Sequence, residues 1–274
     1  MIPNILSIAG SDPSGGAGIQ ADIKAISANG GYAMAAITAV TAQATTGVTA
    51  VRTIDPGMVA EQIHAVCADV RVDAVKIGLL PDVATVEAVA RTLERWRLPY
   101  VVVDPVLVAQ SGDTLAGSGA AEALRSRLFP LADLITPNLR EAAVLTGEDP
   151  ATDVDEMTTQ ADHLLAAGAH RVLLKGGHLG GSQSIDVLTE PGAPPMRLSA
   201  TRVDTPNGHG TGCTLSAAIA TLRPLSASWY DAVAGAKEYL TGALGASDQV
   251  DVGHGPGPLN HFWRTVTPSG WHPS

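Results

Sequence analysis

Short apolar runs alternate with helical patterns along most of this 274-residue chain, and that alternation constrains its fold more than any other feature. Strand-like runs at 5–9, 33–40, 74–77, 100–104, 134–136 and 171–175 are separated by helical patterns at 17–29, 58–70, 83–96, 120–128, 138–146 and 157–167. Parallel strands need a long crossover, usually a helix, so this order reads as successive βαβ units. The expected architecture is α/β, a three-layer α/β/α sandwich around a mostly parallel sheet. Two shorter runs, 184–188 and 196–199, suit an antiparallel edge, and helical patterns at 214–222 and 231–244 follow. The stretch 147–155 is the most turn-like internal segment, but alternation resumes after it. One domain over 1–274 is therefore expected, with 253–274 as an irregular, Gly/Pro-rich tail.

Composition narrows the function classes. The chain is 45% hydrophobic, yet no apolar run approaches the roughly 20 residues of a membrane span. The start, Met1-Ile-Pro-Asn4, has no cationic region, which predicts no secretory signal. Two cysteines, Cys67 and Cys213, give no disulfide framework and suit a reducing cytoplasm. Cys67 reads as core filler. A net charge of −10 argues against a nucleic-acid surface, and requires any phosphate site to use local donors and a metal.

Open α/β sheets bind ligands beyond the C-terminal ends of their strands, and the polar and glycine-rich features fall there. The turn Gly208-His-Gly-Thr-Gly212 runs directly into the Ala-rich helical segment from Thr214. Tight glycine backbone plus a helix N-terminus suits an anion such as phosphate. Cys213, at the joint, either faces the bound group or is a small buried apolar residue. The first strand enters a loop with Gly10, Gly15, Gly16, Gly18 and Pro13, and Asp22 follows in the next helix. Asp22 reads equally as a ligand contact or as favourable charge near a helix start. Gln43, closing a strand before a polar loop at 44–47, has the planar donor and acceptor that fit an aminopyrimidine edge. Asp104 ends an apolar strand before Pro105, as a cap or a magnesium-side group. Asn138 and Glu141 have capping-box spacing, which also places them together where hydrated Mg²⁺ could be held. Lys175, leaving a core strand before Gly176-Gly177, can reach a triphosphate as a point charge.

Together these segments resemble the hydroxymethylpyrimidine kinase / phosphomethylpyrimidine kinase family of thiamine biosynthesis, within the ribokinase-like superfamily. The resemblance runs from Ser7-Ile-Ala-Gly-Ser-Asp12 to Gly257-Pro-Leu-Asn-His-Phe262, through Lys76-Ile-Gly78, Asp104-Pro-Val106, Thr136-Pro-Asn138, Lys175-Gly-Gly177 and His209-Gly-Thr-Gly-Cys213. It implies two successive ATP-dependent phosphorylations, of 4-amino-5-hydroxymethyl-2-methylpyrimidine and then of its monophosphate. It also implies that Gly10, Asp22, Gln43 and Val106 hold the pyrimidine, and that Asn138, Lys175, Thr211 and Gly212 hold ATP. Asp104 and Glu141 would organise Mg²⁺. Gly210, Thr211, Gly212 and Cys213 would form the anion hole beside Lys175; the helix N-terminus lowers the Cys213 thiol and a neighbouring triphosphate raises it again, so that Cys213 is expected as a base or proton acceptor, the alternative being a small neutral group that lets a phosphorylated substrate fit. A homodimer is implied as well.

The chain departs from the family pattern at Leu79 and Leu107, where Met is frequent, at Gln110, where Lys is usual, and at Gly208, where Thr is frequent. The rival enzyme is a pyridoxal kinase, since Gln43 and Cys213 suit either ring. A sugar or nucleoside kinase fits less well, because aspartate is usual there at the position of Cys213. A non-catalytic pyrimidine-binding regulator should show decay at Lys175, Glu141 or the Gly-Thr-Gly turn, and all are intact.

Overall fold

The computed structural model describes residues 1–107, 117–177 and 179–265. Among the described residues nine strands form one sheet: β1 (Asn4–Ser11), β2 (Tyr32–Ala44), β3 (Gly47–Thr53), β4 (Ala74–Ile77), β5 (Val101–Val103), β6 (Leu134–Ile135), β7 (Val172–Lys175), β8 (Gln183–Thr189) and β9 (Met196–Thr201). The helices are α1 (Gly18–Ala28), α2 (Pro56–Asp69), α3 (Val83–Trp96), α4 (Ala120–Ala123), α5 (Leu139–Thr146), α6 (Val154–Ala166), α7 (Thr211–Leu222) and α8 (Trp229–Gly245).

Strand order is β3-β2-β1-β4-β5-β6-β7-β8-β9. From β2 to β7 every neighbouring pair is parallel, and β3, β8 and β9 are antiparallel additions at the two edges. The chain moves from β1 one way to β2, then returns past β1 to β4, so the winding reverses between β1 and β4. Such a switch point opens a crevice at the carboxyl ends of the strands.

Side-chain alternation along the strands builds two cores. Leu6, Ile8, Val75, Ile77, Val101, Val103 and Ile135 face one side, with α2, α3, α5 and α6. Ile5, Ala74, Val102, Leu134, Leu173 and Leu188 face the other, with α1, α7 and α8. This is the three-layer α/β/α sandwich that the alternation predicts.

Two elements differ from expectation. The loop expected after Gln43 is the turn of a hairpin, because β2 runs on to Ala44 and β3 pairs back along it. The helical pattern at 120–128 holds as α-helix only to Ala123, widens over Leu124–Leu128 and tightens over Phe129–Leu131, where Pro130 cannot donate to a helical ladder.

Candidate active site

The candidate site lies where α1 and α7 begin. Most helices of eight or more residues here are capped by their own side chains: Asp55, Asp82, Asn138, Asp153 and Ser228 serve α2, α3, α5, α6 and α8. Neither α1 nor α7 has a side-chain cap or an acidic residue in its first turn. At α1 the Asp12 carboxylate takes the Ala17 N–H, and at α7 the Gly208 carbonyl takes the Thr211 N–H; the N–H groups of Gly212 and Cys213 have no partner among the described residues and, with the positive end of α7, suit an anion.

The two glycine turns interlock there. Gly210 has φ +84°, and a Cβ on it would stand 1.8 Å from the Gly16 carbonyl oxygen. A Cβ on Gly16 would stand 2.2 Å from His209 Cδ2. Only backbone without side chains fits this closely. Asp12 stitches the turns together, accepting hydrogen bonds from Ser14 N–H, Ala17 N–H and His209 Nε2 at 2.9, 2.8 and 2.8 Å. Burial alone would raise the Asp12 carboxyl, but these donors, His209 foremost, hold it at about 2.

Behind the turns sits an ionic cluster assembled from α1 and from five neighbouring strands, β1, β4, β5, β6 and β7, or the residues just after them. Lys76 on β4, wholly buried, donates to both Asp22 oxygens at 2.8 Å, and Ser7 Oγ donates to Asp22 Oδ2 at 2.6 Å. Lys175 Nζ donates to Asp104 Oδ1 at 2.7 Å, and Thr136 Oγ1 donates to the same oxygen at 3.0 Å. A Cβ on Gly212 would lie 3.2 Å from Lys175 Nζ and 3.3 Å from Asp104 Oδ2, so the glycine lets this pair approach the start of α7. Asn138 and Glu141 form a reciprocal capping box, with N–H to oxygen distances of 2.8 and 2.9 Å.

Burial sets the protonation of these groups, and neighbouring charges correct it. Asp104 would be raised by burial, but Lys175 and Lys76 hold it below the usual range. Burial pushes Glu141 up to about 7, opposed by Lys175 and reinforced by Asp104. The acidified thiol expected at Cys213 is absent. Burial pushes it up to about 11; Lys76 opposes, while Asp22 and Asp104 add to the rise. The N–H of Gly18 hydrogen-bonds the sulfur, a smaller effect.

On the β2 side, Gln43 Oε1 accepts from Thr41 Oγ1 at 3.1 Å, and Gln43 Nε2 is 3.4 Å from His209 Nε2. The Nε2 proton of His209 serves Asp12, which leaves the Gln43 amide protons for another acceptor. An open depression of about 700 Å³ runs between Pro13 and the hairpin residues 42–44 and 46–49.

Among the expected residues, Asp104, Lys175, Gly212 and Cys213 come together at the start of α7, with Gly210 and Thr211 in the same turn and Asn138 and Glu141 beside Lys175. A Cβ on Gly10 would lie 3.1 Å from Leu79 Cδ2, Gln43 lines the open depression, and the Val106 N–H bonds the Asp104 carbonyl at 2.8 Å. Asp22 is the exception. It meets no open surface, and its carboxylate is committed to Lys76 and Ser7. Gln110 lies outside the described residues. Asp12, Lys76 and His209 carry roles that the motifs did not assign; a lysine inside the apolar run Ala74-Val-Lys-Ile77 was the available signal.

Residues 12–260 match the model of a protein family described as phosphomethylpyrimidine kinase. The chain belongs to that family. Hydroxymethylpyrimidine/phosphomethylpyrimidine kinase of Escherichia coli K12 is 52% identical over 260 residues, 94% of this chain and 97% of the relative. Among solved structures, phosphomethylpyrimidine kinase from Clostridium difficile superposes with a TM-score of 0.76 at 40% identity, covering 87% of this chain and 98% of that one. A Bacillus subtilis pyridoxal kinase in complex with ADP superposes with a TM-score of 0.86 at 37% identity, covering 95% and 98%. The chain is thus a kinase with the ribokinase-like fold. No helix among its described residues is long and apolar enough to cross a membrane.

Proposed function

We propose that this kinase moves the γ-phosphoryl group of ATP onto the hydroxymethyl oxygen of 4-amino-5-hydroxymethyl-2-methylpyrimidine, then a second onto the monophosphate, giving the diphosphate used in thiamine biosynthesis. The observation that carries this reading is the meeting of two uncapped helix N-termini at interlocked glycine turns, with Lys175 and Asp104 packed on Gly212. In each step an O–P bond forms to the acceptor, the bond to ADP breaks, and the acceptor proton leaves to solvent or phosphate.

Phosphoryl transfer needs positioning and charge stabilisation more than covalent help. Gln43 presents its amide to the ring edge, while Gly10 and Val106 shape the pyrimidine pocket. Asp22 acts from behind, holding Lys76 under the anion hole. The N–H groups of Gly212 and Cys213 at the start of α7, set up by the Gly210 turn, face the transferred phosphoryl oxygens, while the Thr211 N–H closes the turn on the Gly208 carbonyl. Lys175 meets the nucleotide phosphates, with Asn138 and Thr211 at their flank. Among the described residues, Asp104 Oδ2 and Glu141 Oε1 are the carboxylate oxygens left over by the internal bonds, a hard-oxygen pair suited to Mg²⁺ that keeps most of its water. When bound, the ion would neutralise phosphate charge.

A thiol at about 11 is protonated at neutral pH, so Cys213 serves as a small uncharged wall rather than a base. Such a wall admits both an alcohol and a phosphate as acceptor. We further place the enzyme in the cytoplasm as a homodimer, with small-molecule partners alone; the two cysteines outside any disulfide agree with that compartment.

Incubation with Mg-ATP and hydroxymethylpyrimidine, products resolved by mass, with pyridoxal in parallel, tests the assignment. Monophosphate followed by diphosphate is expected. Phosphorylated pyridoxal without pyrimidine product would make it a pyridoxal kinase instead.

A further inference from the structure

The Lys175-Gly176-Gly177 turn is gripped from behind by a buried ion pair outside the reaction centre. Asp186 on β8 stands directly opposite Lys175 on β7 in the antiparallel register. Its Oδ1 accepts the N–H of Gly176 at 3.0 Å, and its Oδ2 accepts Lys237 Nζ, from α8, at 2.6 Å. The two side chains are 7% and 8% exposed.

Lys237 lies among the buried Ala236, Tyr239 and Leu240 of α8, where an apolar residue would pack without the desolvation cost of an ammonium group. Packing therefore does not explain it. The turn it grips has no slack. A Cβ on Gly176 would stand 2.1 Å from the Ile185 carbonyl oxygen, and the N–H of Lys175 is tied to the Pro137 carbonyl at 2.9 Å. The main chain at 175–176 is thus held on one side by Pro137 and on the other by the Asp186 carboxylate, whose charge Lys237 balances.

We propose that Asp186 and Lys237 are positioning residues for Lys175. They fix the direction in which β7 releases its lysine, so that Nζ meets the nucleotide phosphates across Asp104. The inference rests on the reading of Lys175 as the phosphate-binding cation.

Steady-state kinetics with ATP as the varied substrate, on the full chain, separates the two claims. The variants are Lys175→Met, Lys237→Met, Lys237→Arg and the double Lys175→Met/Lys237→Met, each checked for folding by thermal melting. Lys237→Met should lower kcat/KM for ATP by about tenfold or more, because small misplacement of a positioning group is costly in rate. The KM for the pyrimidine should stay unchanged, and Lys237→Arg should restore most of the loss. In the Lys175→Met background, Lys237→Met should add less than about twofold, because residues acting through one group are not additive. Wild-type kcat/KM for Lys237→Met, or losses that multiply in the double variant, would overturn the proposal. If Lys237→Met fails to fold, Asp186→Asn, which keeps an acceptor for Gly176 but removes the charge pair, takes its place in both backgrounds. The same loss and the same non-additivity are then expected, and their absence overturns the proposal equally. Normal ATP kinetics in Lys175→Met would remove the reading of Lys175, and this proposal with it.

Discussion

At Cys213 two influences of opposite sign meet. A helix N-terminus favours the thiolate. Burial, with Asp22 and Asp104 nearby, favours the thiol and prevails over Lys76, leaving the group at about 11. The sequence contains the helix start but not the depth of the sulfur or the carboxylates behind it, so it leaves base and neutral group both open and favours the base. The consequence is testable in turnover. General bases contribute roughly 10²–10⁴-fold to rate, whereas a neutral wall residue contributes through shape. Cys213→Ser should therefore keep kcat within about tenfold of wild type, with an unchanged pH–rate profile between neutral and mildly alkaline pH. A loss of two orders of magnitude or more, or disappearance of a titrating limb, would reinstate the base. Asp22 shows the same limit of sequence reasoning. Its place near the glycine loop was legible, but its partner Lys76 comes from β4, 54 residues away, and turns a candidate ligand contact into a buried ion pair.

At the scale of elements, the segment after α8 matters more than its Gly/Pro-rich composition suggests. Leu259 and His261 are buried, the N–H of His209 bonds the Gly257 carbonyl at 3.1 Å, and His261 Nε2 lies 3.0 Å from Thr214 Oγ1 in α7. This irregular strap therefore rests on the glycine turn. Burial, with Lys24 adding to it, pulls the His261 imidazole down to about 4 from 6.5. A depressed folded-state pKa gives stability that is complete above 6.5 and is lost as pH falls through about 4. Urea unfolding at pH 7 and pH 4.5 should show wild type losing roughly 2 kcal/mol more than His261→Asn across that window. Parallel losses would show that His261 does not couple the strap to acid. The core βαβ elements were legible because their apolar faces are continuous. The strand Gly47–Thr53 was not, since its exposed edge residues Thr49, Arg52 and Thr53 carry no buried face to reveal it. The helical pattern at 120–128 misled for another reason: apolar spacing persists there while Pro130 forces the backbone out of α geometry.

For the molecule as a whole, a net charge of −10 would repel nucleotide and phosphorylated substrate alike, so attraction has to be local. The winding reversal between β1 and β4 supplies the place. It brings the carboxyl ends of β1, β4, β5, β6 and β7 around the starts of α1 and α7, and gathers Lys76 and Lys175 with Asp22, Asp104 and Glu141. The order of motifs along the chain made the fold readable, and it named Lys175, Asp104 and Gly210–Cys213, which the fold brings close together. The pairings within the site were not readable, because they join strand ends that only the sheet order makes neighbours. In the proposed reaction one pocket, walled by a neutral thiol and floored by the start of α7, accepts first the alcohol and then its phosphate. The most direct test is to follow diphosphate formation from the monophosphate while adding hydroxymethylpyrimidine. Simple competitive inhibition is expected, with an inhibition constant equal to the KM of the pyrimidine in the first step. Uncompetitive or noncompetitive inhibition, or none, would mean two separate acceptor sites and contradict it.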